Sequence, residues 1–336
     1  MMSYRNWPKI DLHRHLEGSL RLSTIECLGR GLDLALPYGD KYALRKLFTI
    51  VEEDEKSLKQ FLTKFTWIRK IISNQEILER ITFEAIEDAA LDNIIYLELR
   101  FNYSALICSG LTSQEILNGI TNGINEAKMK YDIEVALICG ISRDLPVEHA
   151  MATVDFAIQN RHKDVVAIDL MNDERFAPGL FVKPFQRAYE GGLEATAHAG
   201  EAGPAQNIID SVNELHVTRI GHGARILQDE LALKLVKEKQ ILIECCLSSN
   251  VQTGAIHAIE EHPILELIEN GVPVSINTDD PGVSDITLSG EYSFAEKQFY
   301  LNSEILRKIL LDSTNYIFKP ECAMKLRTEI NKYFSA

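Results

Sequence analysis

Hydrophobic positions along the chain follow two alternating rhythms. Short β-branched, apolar runs stand at KIDLH (9–13), IIYLELRF (94–101), VALICGI (135–141), VVAIDLM (165–171), EATAHAG (194–200), RIGHG (219–223), ILIECCL (241–247) and PVSINTDD (273–280). Between most of them the apolar positions recur at helical spacing, as in QEILERITFEAIEDAALD (75–92) and SQEILNGITNGINEAKMK (113–130). Strands alternating with helices predict a parallel sheet of the α/β class, and eight such units predict a closed (β/α)8 TIM barrel. The alternative is an open, doubly wound sheet, but no GxGxxG follows an early strand to support it.

No Pro/Gly/Ser-rich linker, low-complexity segment or short repeat divides the chain. Barrels of this length are routinely one unit, so residues 1–336 read as a single domain. It carries a helical insertion at about residues 20–90, between the first two strands. Within that insertion Leu58, Phe61, Leu62 and Phe65 fall at i, i+3, i+4 and i+7, one face of a helix. Such a stripe most often packs into a core. The other reading is an apolar wall or lid over the barrel mouth, because loops after the strand ends surround the site in this fold. The charge run EEDEK (52–56) reads as a solvated turn before a helix.

Composition narrows the partners. Hydrophobic residues are 46% and charged residues 25%, the balance of a chain with a substantial core. The net charge of −14 repels phosphate backbones and anionic lipid, so neither nucleic acid nor a membrane is an expected partner. No apolar run is long enough to span a bilayer, and the N-terminus MMSYRNWPKI has no secretory apolar region. The cysteines, Cys27, Cys108, Cys139, Cys245, Cys246 and Cys322, lack CxxC spacing and mostly sit in apolar runs. That usage suits buried thiols in a reducing cytoplasm. It gives no indication of oligomeric state.

The chemistry lies where the apolar runs end. The first ends in His13 and His15, which share one side of a strand. The fifth ends in HAGE, with His198 and Glu201; the sixth in GHG, with His222; the eighth in NTDD, with Asp279 and Asp280. The remaining histidines, His149, His162, His216, His257 and His262, lie in helix or loop patterns and read as surface residues. A lone strand-end histidine is usually just a satisfied polar residue. Four of them, with carboxylates at the fifth and eighth ends, converge on one face of a barrel and predict a mononuclear metal site. Imidazole and carboxylate donors suit zinc best, with iron or cobalt as alternatives. Three imidazoles and one carboxylate leave a divalent site near +1, which acidifies a bound water. A two-metal hydrolase with a bridging carboxylated lysine is the rival, but AIDLMNDE on the fourth strand has no lysine.

DLHRHLEGS, YLELRF, AIDLMNDE, HAGEAGP, RIGHGARI, ECCLSSNVQTGA and SINTDDPGV together resemble the adenosine deaminase family of metal-dependent hydrolases, particularly its bacterial members. The resemblance runs from residue 10 to about 285 and implies hydrolytic deamination of adenosine, with 2′-deoxyadenosine, to inosine and ammonia in purine salvage. It implies one Zn2+ per chain, held by His13, His15, His198 and Asp279, and a small-molecule purine nucleoside as partner. Glu201 is then the acid that protonates purine N1. His222 orients and helps deprotonate the attacking water. Asp280 contacts N7, the backbone near Asn172 meets N3, and Glu17 lies near the ribose.

Several physical expectations accompany these roles. Burial against the apolar lid raises the pKa of Glu201, while a nearby cation opposes it. The helix after HAGEAGP is expected to start at Pro204, a favoured first helical position. Gly221 and Gly223 let the backbone approach closely around His222. Glu244 either accepts a hydrogen bond from His222 or serves as a structural partner. Arg100 and Arg143 read as members of structural ion pairs. The family usually has Asp where this chain has Glu17, and Gly where it has Asn172, so the nucleoside end of the site is where specificity is open. The alternatives are deamination of adenine or another 6-aminopurine nucleoside, and a catalytically silent purine-binding barrel.

Overall fold

A computed structural model describes residues 4–335. All eight apolar runs are strands: β1 (Lys9–His15), β2 (Ile94–Phe101), β3 (Glu134–Ser142), β4 (Val165–Met171), β5 (Glu194–Ala199), β6 (Arg219–His222), β7 (Leu242–Cys245) and β8 (Val274–Ile276). Each pairs in parallel with the next in sequence, giving one sheet in the order β1 to β8. Helices on the outside bury the other face, which is why the strands read as continuous apolar runs rather than alternating ones. The fold is a (β/α)8 TIM barrel.

The seam between β1 and β8 closes differently from the other pairings. β8 is only three residues long, and the contact beyond it is a single parallel bridge between Arg14 and Asp279. Side chains stand in for the missing ladder. Asn277 Oδ1 accepts the Leu12 N–H at 3.0 Å, and Thr278 Oγ1 donates to Asp11 Oδ2 at 2.6 Å. At the bridge itself His15 N–H donates to Asp279 O at 2.8 Å, and Asp279 N–H donates to His13 O at 2.7 Å.

The two longest sequence-read helices form as expected, at Gln75–Leu91 and Ser113–Lys130. Asn74 caps the first, and Thr112 with Glu115 makes a reciprocal capping box on the second. The stretch between β1 and β2 is helical, but its apolar stripe spans two short helices, Leu58–Thr63 and Phe65–Ile71, that meet at Lys64. EEDEK is a turn in which Glu52, Glu53, Glu55 and Lys56 are exposed as expected, and only Asp54 departs from that reading. Asp54 points inward and pairs with the buried Lys64 ammonium at 2.6 Å, while also accepting the Val51 N–H and the Gln60 amide. The helix after β5 begins at Gln206, two residues beyond Pro204. Among the described residues no helix is long and apolar enough to cross a membrane.

Charge also runs through the barrel interior. Arg219 Nη2 meets Glu98 Oε2 at 2.5 Å, and Arg219 Nε lies 2.7 Å from Glu244 Oε1. Arg100 then joins Glu244 (3.1 Å) to Asp169 (2.7 Å). All five side chains are fully buried, and buried charges persist only when paired and hydrogen-bonded. Arg100 is therefore an ion-pair residue as expected. Arg143 is not: its guanidinium donates to the His198 and Phe176 carbonyls and makes no salt bridge among the described residues.

Candidate active site

The carboxyl ends of β1, β5 and β8 bring His13, His15, His198 and Asp279 together. One donor atom from each lies within 4.8 Å of all the others, and all four residues are buried. The Nε2 atoms of His13 and His15 each sit 3.2 Å from Nε2 of His198 and 3.3 Å from Asp279 Oδ1. The far nitrogens set the protons. His13 Nδ1 faces Glu244 Oε2 at 2.6 Å, and His198 Nδ1 faces Asp169 Oδ2 at 3.0 Å. Each carboxylate takes an N–H, so Nε2 of His13 and of His198 presents a lone pair. Lone pairs and a carboxylate pointed at one another at such distances repel unless a cation lies between them. The donor set therefore fits a divalent metal.

The electrostatics agree. Burial lowers the pKa of His15 to about 4 and also lowers that of His198, keeping both neutral. Burial acts the same way on His13, but the Asp279 and Glu244 carboxylates outweigh it and raise the value. The His198 imidazole and the Arg100 guanidinium hold Asp169 well below the usual carboxylate range despite its burial. Cys246 also approaches His222 and Asp279, but burial and the nearby carboxylates keep its thiol protonated, which makes it a poor ligand.

Glu244 settles an open question: it serves His13, not His222. His222 instead directs Nδ1 at the Asn250 side chain, at 2.9 Å, and Nε2 toward Glu201 Oε2, at 3.7 Å. The backbone is unusual at three strand ends. Asn172, His222 and Asp279 all have positive φ, at 74°, 66° and 59°. Such φ values are uncommon without glycine, and Asn, Asp and His tolerate them best. Gly221 is needed for another reason: a Cβ there lies 2.8 Å from the His13 ring.

Glu201 is buried, and its pKa rises to about 8 through burial and the negative charges of Asp279 and Glu174. Its place is set by Glu174, a residue the sequence pattern did not single out. The Glu174 carboxylate accepts the backbone N–H groups of Gly200, Glu201 and Ala202 at 2.7 to 2.9 Å. The only linear signal was an acid in the loop after an apolar strand. Beside Glu201, Asp280 has a buried Oδ1 with no partner.

These groups open onto a cavity of about 760 Å3, partly open to solvent. Leu58, Phe61, Leu62 and Phe65 form its apolar wall, and Glu17, Asn172, Glu201, His222, Asp279 and Asp280 form its polar side. Both readings of the apolar stripe hold at Phe61, which lines the cavity and is 2% exposed. Glu17 Oε1 accepts the Asn102 N–H at 2.8 Å, which fixes the longer acid against β2. Asn172 turns its side chain away, donating to Ser142 Oγ and Asp144 Oδ1, so only its backbone occupies the place a glycine would leave. Among the other histidines, His162, His216 and His257 are exposed and His149 partly so. His262 departs from the surface reading, being buried against Asn250.

Three known proteins place this geometry in context. An adenosine deaminase from Clostridium botulinum (strain 657 / Type Ba4) is 37% identical over 326 residues, 96% of this chain and 98% of that one. An adenine deaminase from Arthrobacter aurescens superposes with a TM-score of 0.91 at 26% identity, covering 98% of this chain and 100% of that one. An Arabidopsis N6-mAMP deaminase gives 0.88 at 28% identity, covering 99% and 100%. The adenosine deaminase family model matches residues 8–333, so the chain belongs to the adenosine deaminase family, whose members are hydrolytic deaminases.

Proposed function

We propose that this protein deaminates adenosine, and 2′-deoxyadenosine, to inosine or its deoxy counterpart and ammonia, as a step of purine salvage. The observation that carries this reading is one cavity that holds a four-ligand metal cluster and, beside it, a buried carboxylic acid with a raised pKa. When bound, one zinc ion per chain, held by His13, His15, His198 and Asp279, supplies an acidified water at neutral pH.

The chain's own residues do the rest. Glu201, whose pKa burial raises to about 8, donates to purine N1 as the water oxygen bonds to C6. The ring loses aromaticity, N1 takes the charge, and the proton neutralises it. The C6–amino bond then breaks: of the two protons of the added water, one passes to the amino nitrogen, which leaves as ammonia, and the other returns to Glu201 as the C6 carbonyl forms. His222 orients the water from beside Glu201. Asp280, whose buried oxygen has no protein partner, binds at N7. The Asn172 backbone meets N3, and Glu17 faces the ribose. The apolar wall of Leu58, Phe61, Leu62 and Phe65 covers the purine faces and excludes water.

A second reading, deamination of adenine, rests on Glu17 and on the likeness to the Arthrobacter enzyme. The full ligand set with an intact acid argues against a silent purine-binding barrel. A panel of adenine, adenosine, 2′-deoxyadenosine and N6-methyl-AMP, read by ultraviolet absorbance with and without a chelator, decides. Turnover of the nucleosides that is abolished by chelation is the expected result. Turnover of adenine alone sinks the nucleoside reading, and no turnover of any member sinks the deaminase reading.

A further inference from the structure

His262 is buried, yet it touches neither the cavity nor the metal cluster. It is a middle link in a chain of three hydrogen bonds that begins at a backbone amide and reaches the active site. Ile264 N lies 3.2 Å from His262 Nδ1, His262 Nε2 lies 3.1 Å from Asn250 Oδ1, and Asn250 Nδ2 lies 2.9 Å from His222 Nδ1.

The far end of this chain fixes the direction of each proton. A backbone N–H only donates, so His262 Nδ1 is an acceptor. A neutral imidazole with an accepting Nδ1 carries its proton on Nε2. That N–H requires an acceptor, so the Asn250 carbonyl oxygen must face it. Turning the amide over would set N–H against N–H. The Asn250 NH2 group therefore faces His222, and because an amide N–H only donates, His222 Nδ1 must accept. The proton of His222 is then on Nε2, directed at the cavity. Burial, which lowers the pKa of His262 to about 3, keeps the relay neutral.

We infer that Asn250 and His262 are positioning residues that hold His222 as its Nε2–H tautomer, so that His222 meets the attacking water as a hydrogen-bond donor. This narrows the sequence expectation for His222, since a neutral ring with Nε2 already protonated cannot take the water's proton there. The inference rests on the deaminase reading only for its kinetic consequence.

Imidazole 15N NMR of zinc-loaded protein labelled at histidine tests it, with His222→Gln to assign the signal. The expected signal has a protonated Nε2 and a bare Nδ1. A proton on Nδ1 overturns the inference, whether or not the protein deaminates adenosine. Asn250→Asp keeps the side-chain shape but offers a carboxylate oxygen to His222 Nδ1 and draws the proton to it. We expect kcat to fall by roughly 10² to 10⁴-fold with KM within about threefold, as when a histidine base is held in the wrong tautomer. Wild-type kcat in this variant overturns the donor role. His262→Gln retains an N–H for Asn250 and is expected to keep the Nε2–H tautomer, whereas His262→Leu loses it; the same spectrum in both variants removes His262 from the relay. Should a variant fail to fold, the wild-type spectrum alone decides the tautomer. An absence of adenosine turnover in the wild type counts against the proposed activity and leaves the tautomer assignment intact.

Discussion

Glu174 and Glu201 show how burial gives one residue type two opposite duties. Glu174 accepts three backbone N–H groups and so cradles the turn, whereas Glu201 lacks such donors and its pKa rises to about 8. Glu174→Ala strands two buried donors, the Gly200 and Glu201 N–H groups, each costing about 1–3 kcal/mol, and frees the part-buried Ala202 N–H. Urea unfolding is expected to show a loss of several kcal/mol, and a wild-type midpoint would refute the cradle. Glu201→Gln keeps the shape and removes the acid, so elemental analysis should find metal retained while kcat drops by about 10² to 10⁴-fold. Near-normal turnover would contradict the acid role. In metal-free protein Glu201 also governs stability. Its folded pKa of about 8 exceeds the ordinary 4.5, so the folded state binds the extra proton between those values. Stability then falls as pH rises through that window, and Glu201→Gln removes this loss. Urea midpoints of metal-free wild type and variant at pH 5 and 8.5 check the sign; equal pH slopes would count against it. That His13, His15, His198, Asp279 and Glu201 gather at one end of the barrel was legible in the sequence, because a buried strand seldom ends in a titratable side chain for packing alone, and here several strands do so at once. Glu174, Asn250 and His262 were not legible. Their roles depend on reaching the backbone or side chain of another loop, and linear spacing carries no such information.

At the scale of elements, the strands were readable to within a few residues because both faces of a parallel sheet are buried. The insertion was readable as helical but not as a broken helix, since the i, i+3, i+4, i+7 stripe continues across the joint at Lys64. The joint is held by an acid that the local charge run assigned to solvent. Lys64→Met leaves Asp54 buried without its cation, and a loss of about 3–5 kcal/mol is expected from equilibrium unfolding. A negligible change would show that Asp54 rehydrates freely. Phe65→Ala, on the cavity wall and only partly buried, should act on binding. The expected outcome is a rise in KM of several-fold with a smaller change in kcat, measured by steady-state kinetics. An unchanged KM would place the purine elsewhere.

Across the whole molecule, closure of the barrel and assembly of the His13, His15, His198 and Asp279 cluster are one event. The main chain of His13 and His15 grips Asp279 across the β1/β8 seam, and the side chains of the same residues converge on the proposed cation site. Chelation should therefore speed hydrogen exchange at the His15 and Asp279 amides more than at the β2/β3 pairing, as read by exchange mass spectrometry. Uniform protection across the barrel would separate the seam from the metal. The same arrangement sets an order on biosynthesis. A nascent chain halted before residue 279 already carries three imidazole ligands, yet it has neither the fourth ligand nor the backbone partner that fixes the first two. On the proposed ligand set such a chain offers a soft, incomplete chelate, and only release of about the last sixth of the sequence from the ribosome converts it into a rigid one.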